Sequence, residues 1–221
     1  IMIEPIQGEG GVIPATPAYL AGLRALCDET GVLLIYDEIQ TGMGRTGKLF
    51  AFEHTGIRPD ILTLAKGIGG GYPLSAMLTT AELDLFEAGD QGGSYCAQPL
   101  GMAVGVAVVS ELVSGGWVDN AQEVGAYLQQ ALLSMGNRLG ESPNGIPYVR
   151  NIRGMGLLVA FDLPEPAGAA VVQVSLANGL LLNAPQPAML RFMPPLVATR
   201  TDVDDMIAIL EKVLLEVIPK A

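Results

Sequence analysis

The sequence is short of positive charge, histidine, cysteine and aromatic rings, and each shortage removes a class of function. Its 12 Lys and Arg face 23 Asp and Glu, a formal net charge of −11. A nucleic-acid binder would carry a basic stripe, and none is present; an anionic membrane surface is disfavoured for the same reason. A small anion stays admissible, because backbone amides and one or two buried cations hold a phosphate locally. His54 is the only histidine, so no histidine triad or histidine-based metal site can be assembled from this chain. Cys27 and Cys96 have no metal-type spacing and no disulfide framework, which suits a reducing, cytoplasmic setting; both read as small core residues. No apolar run reaches the ~18 residues that a membrane-spanning helix needs.

What is present is a core. Half of the 221 residues are apolar and only 16% are charged, so disorder is not expected. With aromatics at 5%, that core rests on Leu, Val, Ile, Ala and Met. The chain opens inside an apolar run, Ile1-Met2-Ile3, the tail of a strand leading into the turn Gln7-Gly8-Glu9-Gly10-Gly11. Thr16-Pro17 is a helix start, with Leu20, Leu23, Leu26 and Cys27 at helical spacing and Gly31 as the stop. Val32 to Tyr36, Ile61 to Leu64 and Leu74 to Leu78 read as strands, continuously apolar as buried parallel strands are. Pro99 to Val109 predicts a closely packed helix. Val118, Ala121, Val124, Leu128, Leu132, Met135 and Leu139 predict a long amphipathic one. Gly156 to Leu163 alternates as a strand with Val159, Phe161 and Leu163 on one face, and Val203 to Leu214 closes the chain on a helix. The pattern is α/β, with a mostly parallel sheet; residues 1–114 read as part of a larger domain and 115–221 as a smaller α+β domain.

Two residues carry the chemistry. Asp37 follows the Val32–Tyr36 run, and Lys66 follows Ile61–Leu64, each with glycines after it. That places an acid and an amine at the carboxyl ends of two strands, the edge where open α/β sheets bind small molecules. An Asp against a pyridinium nitrogen and a Schiff-base Lys are the protein groups that pyridoxal phosphate (PLP) chemistry most needs. Apolar neighbours on one side and glycines on the other predict a desolvated, nucleophilic Lys66 amine. Arg191, in Met189-Leu190-Arg191-Phe192-Met193, is a cation among apolar neighbours and must find a partner.

The segments Glu4-Pro5-Ile6-Gln7-Gly8-Glu9-Gly10-Gly11, Asp37-Glu38-Ile39-Gln40-Thr41-Gly42-Met43-Gly44-Arg45-Thr46-Gly47 and Leu64-Ala65-Lys66-Gly67 resemble class III (subgroup II) aminotransferases, fold-type I PLP enzymes. The likeness runs in order through nearly the whole chain and is nearest to members acting on acetylornithine. It implies a partial large α/β domain and a small C-terminal domain, together the C-terminal half of such an enzyme. It also implies the roles. Lys66 binds the cofactor and shuttles the proton, and Asp37 pairs with the ring nitrogen. Glu38, Ile39 and Gln40 line the cofactor, Ile39 on the ring and Gln40 on the phenolic oxygen. Ser94 bonds the cofactor phosphate of the neighbouring subunit in a homodimer, and Gly93 lies at a substrate-contact position. Glu9 neutralises Arg191 for one substrate and releases it to grip the carboxylate of glutamate or 2-oxoglutarate for the other. Glu4 and Gln7 brace that loop, and Arg153 belongs to an Arg-Gly-x-Gly turn of structural character. Succinylornithine, ornithine or 4-aminobutyrate as donor, an aminomutase, and a non-catalytic fragment remain open alternatives.

Overall fold

A computed structural model describes residues 1–219. Strand β1 (Met2–Ile3) leads into a hairpin of β2 (Ile6–Gln7) and β3 (Ile13–Pro14). Helix α1 (Pro17–Thr30) then starts and stops as its sequence predicts. Thr16 accepts from the amide of Tyr19, and Gly31 ends the helix at a left-handed φ of 69°. It buries Leu20 and Cys27 in a core shared with Leu34, Tyr36, Leu62 and Leu64. Strand β4 (Ile35–Asp37) pairs in parallel with β1 and with β5 (Ile61–Leu64), and β6 (Ala76–Thr79) adds antiparallel to β5. The order is β1-β4-β5-β6, an α/β arrangement with a mostly parallel sheet.

Two of these strands differ from their apolar sequence runs. Val32 and Leu33 are exposed, and Leu34 donates its amide to the Asp60 carboxylate (2.7 Å), so pairing starts only at Ile35. The run from Leu74 is displaced to Ala76 because Pro73 has no amide to give a ladder and Leu74 packs beside Gly69 and Gly105. Cys96 is a further correction. It is exposed in the loop before α2, while Cys27 alone is buried.

Helix α2 (Pro99–Ser114) and helix α3 (Trp117–Leu139) meet at Gly115-Gly116, where Gly116 takes a φ of 77°. The α3 stripe is buried as expected from Ala121 to Leu139. A three-stranded antiparallel sheet follows, β7 (Arg150–Met155), β8 (Leu158–Asp162) and β9 (Met189–Phe192), in that order. Helix α4 (Gly168–Ala177) lies between β8 and β9, and α5 (Arg200–Val217) closes the chain. No single helix among the described residues is long and apolar enough to cross a membrane.

Strand β8 is buried on both faces, which a simple alternating pattern does not convey. Val159 and Phe161 enter the core built by α3 and α5. Leu158 and Ala160 enter a second cluster with Ile6 and Val12 of the β2–β3 hairpin. Arg191 pairs with Ala160 across the β8–β9 ladder and therefore shares the face turned to that hairpin. This packing brings position 191 to the loop that holds Glu9.

Candidate active site

Asp37 and Lys66 fall where the strands predict. Asp37 is the last residue of β4, in register with Thr63 of the adjacent parallel β5, and Lys66 follows β5 by two residues. Asp37 is half-buried, and its Oδ1 accepts from the amide of Ile39 (3.0 Å), which fixes the carboxylate at the strand edge. Lys66 has a φ of 45°, a left-handed backbone that costs a non-glycine residue about 1–2 kcal/mol. Strain of this kind collects at functional sites. The amine opens onto a cleft of 530 Å³ lined by Ala65, Gly71, Tyr72, Pro73 and Ser75. Contrary to the desolvated amine that its apolar neighbours predict, Lys66 is exposed: the exposed Gly67, Gly70 and Gly71 that follow it carry no side chain to cover it.

The electrostatic centre is a three-residue cluster. Arg191 Nη1 donates to Glu9 Oε1 (2.7 Å) and to Gln40 Oε1 (3.3 Å), and Gln40 Nε2 donates to the same Glu9 oxygen (3.2 Å). The hydrogen bond from Arg191, then that from Gln40, holds the Glu9 carboxyl below the ordinary glutamate range, with a smaller pull from the charge of Lys66. Arg191 is 9% exposed while the Glu9 side chain is 72% exposed. The guanidinium is thus enclosed while the carboxylate reaches it from the solvent side, and among the described residues Arg191 Nε is buried without a partner. Gly8 permits the arrangement, since a Cβ there would lie 2.0 Å from Gln40 Oε1.

Other predicted site residues divide. Ile39 and Gln40 are half-buried beside Asp37. Glu38 is corrected from ligand contact to internal strut. It is wholly buried, and its carboxylate accepts from the amides of Ala51 (2.5 Å) and Phe52 (2.9 Å) and the hydroxyl of Thr41 (3.4 Å). Burial pushes its carboxyl up despite these bonds. Gly93 and Ser94 sit in the exposed loop before α2, and no hydrogen bond joins them to Asp37, Lys66, Glu9 or Arg191. Glu4 does brace its loop, accepting from the amide of Gly8 (2.7 Å), and Gln7 packs against Gly10.

Residues to which the sequence assigns no individual role also shape the site. Arg45 donates to the carbonyls of Leu157 (3.1 Å) and Pro194 (2.5 Å), tying the loop after Asp37 to the chain just beyond Arg191. Gly156 packs against that loop, where a Cβ would lie 2.4 Å from the carbonyl carbon of Thr46. An acid, an amine, a half-buried aliphatic face and an amide therefore share one strand edge beside a fixed guanidinium. This donor set fits PLP at its ring nitrogen, carbonyl carbon, ring face and phenolic oxygen.

Known proteins match this chain throughout. An acetylornithine aminotransferase of Ralstonia nicotianae is 48% identical over 217 residues, which are 97% of this chain and 52% of that protein. The crystal structure of an N-acetylornithine aminotransferase from Stenotrophomonas maltophilia superposes with a TM-score of 0.84 at 34% identity, over 97% of this chain and 56% of that one. An ornithine aminotransferase of Toxoplasma gondii, described with partial occupancy of PLP at its active site, gives a TM-score of 0.87 at 36% identity. It is covered over 50% of its length and covers 98% of this chain. The chain thus spans about half the length of the relatives it matches. The family model "Aminotransferase class-III" matches residues 1–214, and the chain belongs to the class-III aminotransferases.

Proposed function

We propose that this chain carries the lysine-bearing half of a PLP-dependent aminotransferase that passes the ω-amine of N-acetylornithine to 2-oxoglutarate. The products are N-acetylglutamate 5-semialdehyde and glutamate. Residues 1–114 serve the cofactor and 115–221 the substrate carboxylate, the last two positions lying outside the described residues. The observation that carries this reading is the Glu9–Gln40–Arg191 cluster beside Asp37 and Lys66. When bound, PLP supplies an electron sink for the proton-transfer chemistry at the amine-bearing carbon. Lys66 supplies the amine that holds the cofactor and then moves the proton. Asp37, fixed by the Ile39 amide, presents its carboxylate to the ring nitrogen. Arg191 meets a carboxylate of glutamate or 2-oxoglutarate once Glu9 swings to solvent, and is neutralised by Glu9 when the ω-amine end enters. The assembly is a homodimer in the cytoplasm, with Ser94 reaching the neighbouring subunit's cofactor; its exposure leaves the hydroxyl free for a second chain. The names of the relatives favour acetylornithine, and the pairing of Glu9 with Arg191 speaks against an aminomutase, which needs no second acceptor.

The test is a visible-absorbance titration of the chain with PLP beside Lys66→Ala, followed by borohydride reduction and mass analysis, then donor turnover by the complete enzyme. A reduced adduct on Lys66 and a preference for acetylornithine over ornithine, succinylornithine and 4-aminobutyrate are expected. An adduct on another lysine overturns the site, and a flat donor preference overturns the substrate.

A further inference from the structure

We infer that Arg153, assisted by Gln186, is the positioning residue that sets the reach of Glu9 to Arg191, and so controls which substrate the site accepts. The assignment rests on the functional reading above and adds to it a residue that touches neither substrate nor cofactor. Arg153 donates through Nε to the carbonyl of Gly11 (2.8 Å), at the end of the turn that holds Glu9. Its Nη1 donates to Asp162 Oδ1 (2.8 Å) and the carbonyl of Asn151 (2.9 Å), and its Nη2 to Met189 Sδ (3.0 Å). The other Asp162 oxygen is taken by Asn151 Nδ2 (2.9 Å), so the acid that steers Arg153 is itself fixed.

Local structure aims this guanidinium. The β7–β8 ladder changes register between Arg150 and Arg153, and Asn151 in that bulge has a φ of 51°. A bulge redirects the side chain beside it, and here the direction is out of the sheet toward Gly11. Gly154, next in sequence, lets β7 and β8 close, since a Cβ there would lie 2.0 Å from the carbonyl oxygen of Leu158. A second tether comes from the segment before β9: Gln186 Nε2 donates to the carbonyl of Glu9 itself (3.2 Å). Glu9 is therefore held by the sheet that carries Arg191. The contacts run β9 to β8 to β7, through Arg153 to Gly11, and back through Glu9 to Arg191. Such a ring of contacts fixes the pair's geometry yet leaves the exposed Glu9 side chain able to rotate away. Releasing Gly11 and the Glu9 carbonyl would let the whole turn drift, weakening the neutralised state and leaving the buried guanidinium bare.

The test compares Arg153→Met, Arg153→Lys and Gln186→Ala in the complete enzyme, each half-reaction measured by single turnover. Without the tether, kcat/KM for the ω-amine donor is expected to fall about tenfold or more, mainly through KM, while the glutamate half-reaction keeps its rate. Arg153→Lys, which retains the charge facing Asp162, should recover part of the loss. Adding Glu9→Ala to Arg153→Met should cost no more than Glu9→Ala alone, because both act through one contact. Hydrogen exchange reads the tether apart from the chemistry: the Gly11 and Val12 amides, both bonded to the Gly8 carbonyl, should exchange faster in Arg153→Met. Equal losses in both half-reactions, or additive losses with Glu9→Ala, overturn the assignment and leave Arg153 a stabiliser of the fold. Unchanged exchange in the turn overturns it even where transamination stands. A wild-type enzyme that turns over no amine donor rejects the functional reading, and the assignment with it.

Discussion

At the scale of single residues, the site depends on which charges are fixed and which are free. Asp37 is oriented by a neighbouring amide, and removing its charge in Asp37→Asn should lower turnover by about two to three orders of magnitude, the scale of losing one preorganised electrostatic partner. Turnover within a factor of a few of wild type would contradict the role proposed for it at the ring nitrogen. The Glu9 carboxyl is lowered, chiefly by the Arg191 hydrogen bond. A lowered acid keeps its pairing above the ordinary glutamate range and loses it only as pH falls through the depressed value. Side-chain carbon NMR should therefore place the Glu9 midpoint below that of free glutamate, and Arg191→Met should raise it. A midpoint indifferent to Arg191→Met would show that the pair does not form in solution. Asp37 stands out in the sequence because it ends an apolar run and Arg191 because it lies within one, whereas Glu9, in a glycine turn, is singled out only by the family resemblance. Glu38 is expected at the cofactor through that resemblance alone. Its neighbours Asp37 and Ile39 face the site, but strand geometry sends position 38 to the opposite side, under Ala51 and Phe52.

At the scale of elements, the hydroxyl cap of α1 and the apolar stripes of α1, α3 and α5 located these helices, because both are local signals. The β2–β3 hairpin, β7, α4 and β9 were not legible. Two-residue strands carry no period, and both faces of β8 are buried, so its partners cannot be told from alternation. Glycine shows the same divide between local and tertiary information. Gly22 and Gly125 both lie inside helices, where Ala is favoured by about 0.5–1 kcal/mol. A Cβ at Gly22 meets nothing within 4 Å, whereas one at Gly125 would lie 2.1 Å from the carbonyl oxygen of Gly156. Gly22→Ala should accordingly raise the melting temperature by about 1–4 °C. Gly125→Ala should lower it, because forced overpacking costs about 1–3 kcal/mol and exceeds the helix gain. It should also loosen the contact of Gly156 with the loop after Asp37. Thermal melts of the two variants decide the point, and a stabilising Gly125→Ala would mean that α3 and the Gly156 turn are not in contact.

At the scale of the molecule, much apolar surface of α2, β6 and the loop after β6 faces solvent. Met102, Val106, Val109 and Val113 form one exposed stripe along α2, and Met77, Leu78, Leu85 and Phe86 are exposed in and after β6. Contiguous surface of this kind marks an interaction face or an association liability. A net charge of −11 opposes self-contact, and that repulsion is screened over about 10 Å at 0.1 M salt. The two terms respond oppositely to salt, since hydrophobic attraction survives while charge repulsion fades. The isolated chain should therefore show a mass by light scattering that rises with concentration and with added salt. Val106→Glu with Val113→Glu should reduce that association and leave the melt nearly unchanged, because both positions are more than 60% exposed and pack little within the chain. A monomer at every concentration and salt would show that the α2 stripe is too dispersed to bind another surface. Association unaffected by the double substitution would move the contact to β6 and the loop after it, the face that also borders the Lys66 cleft through Pro73 and Ser75.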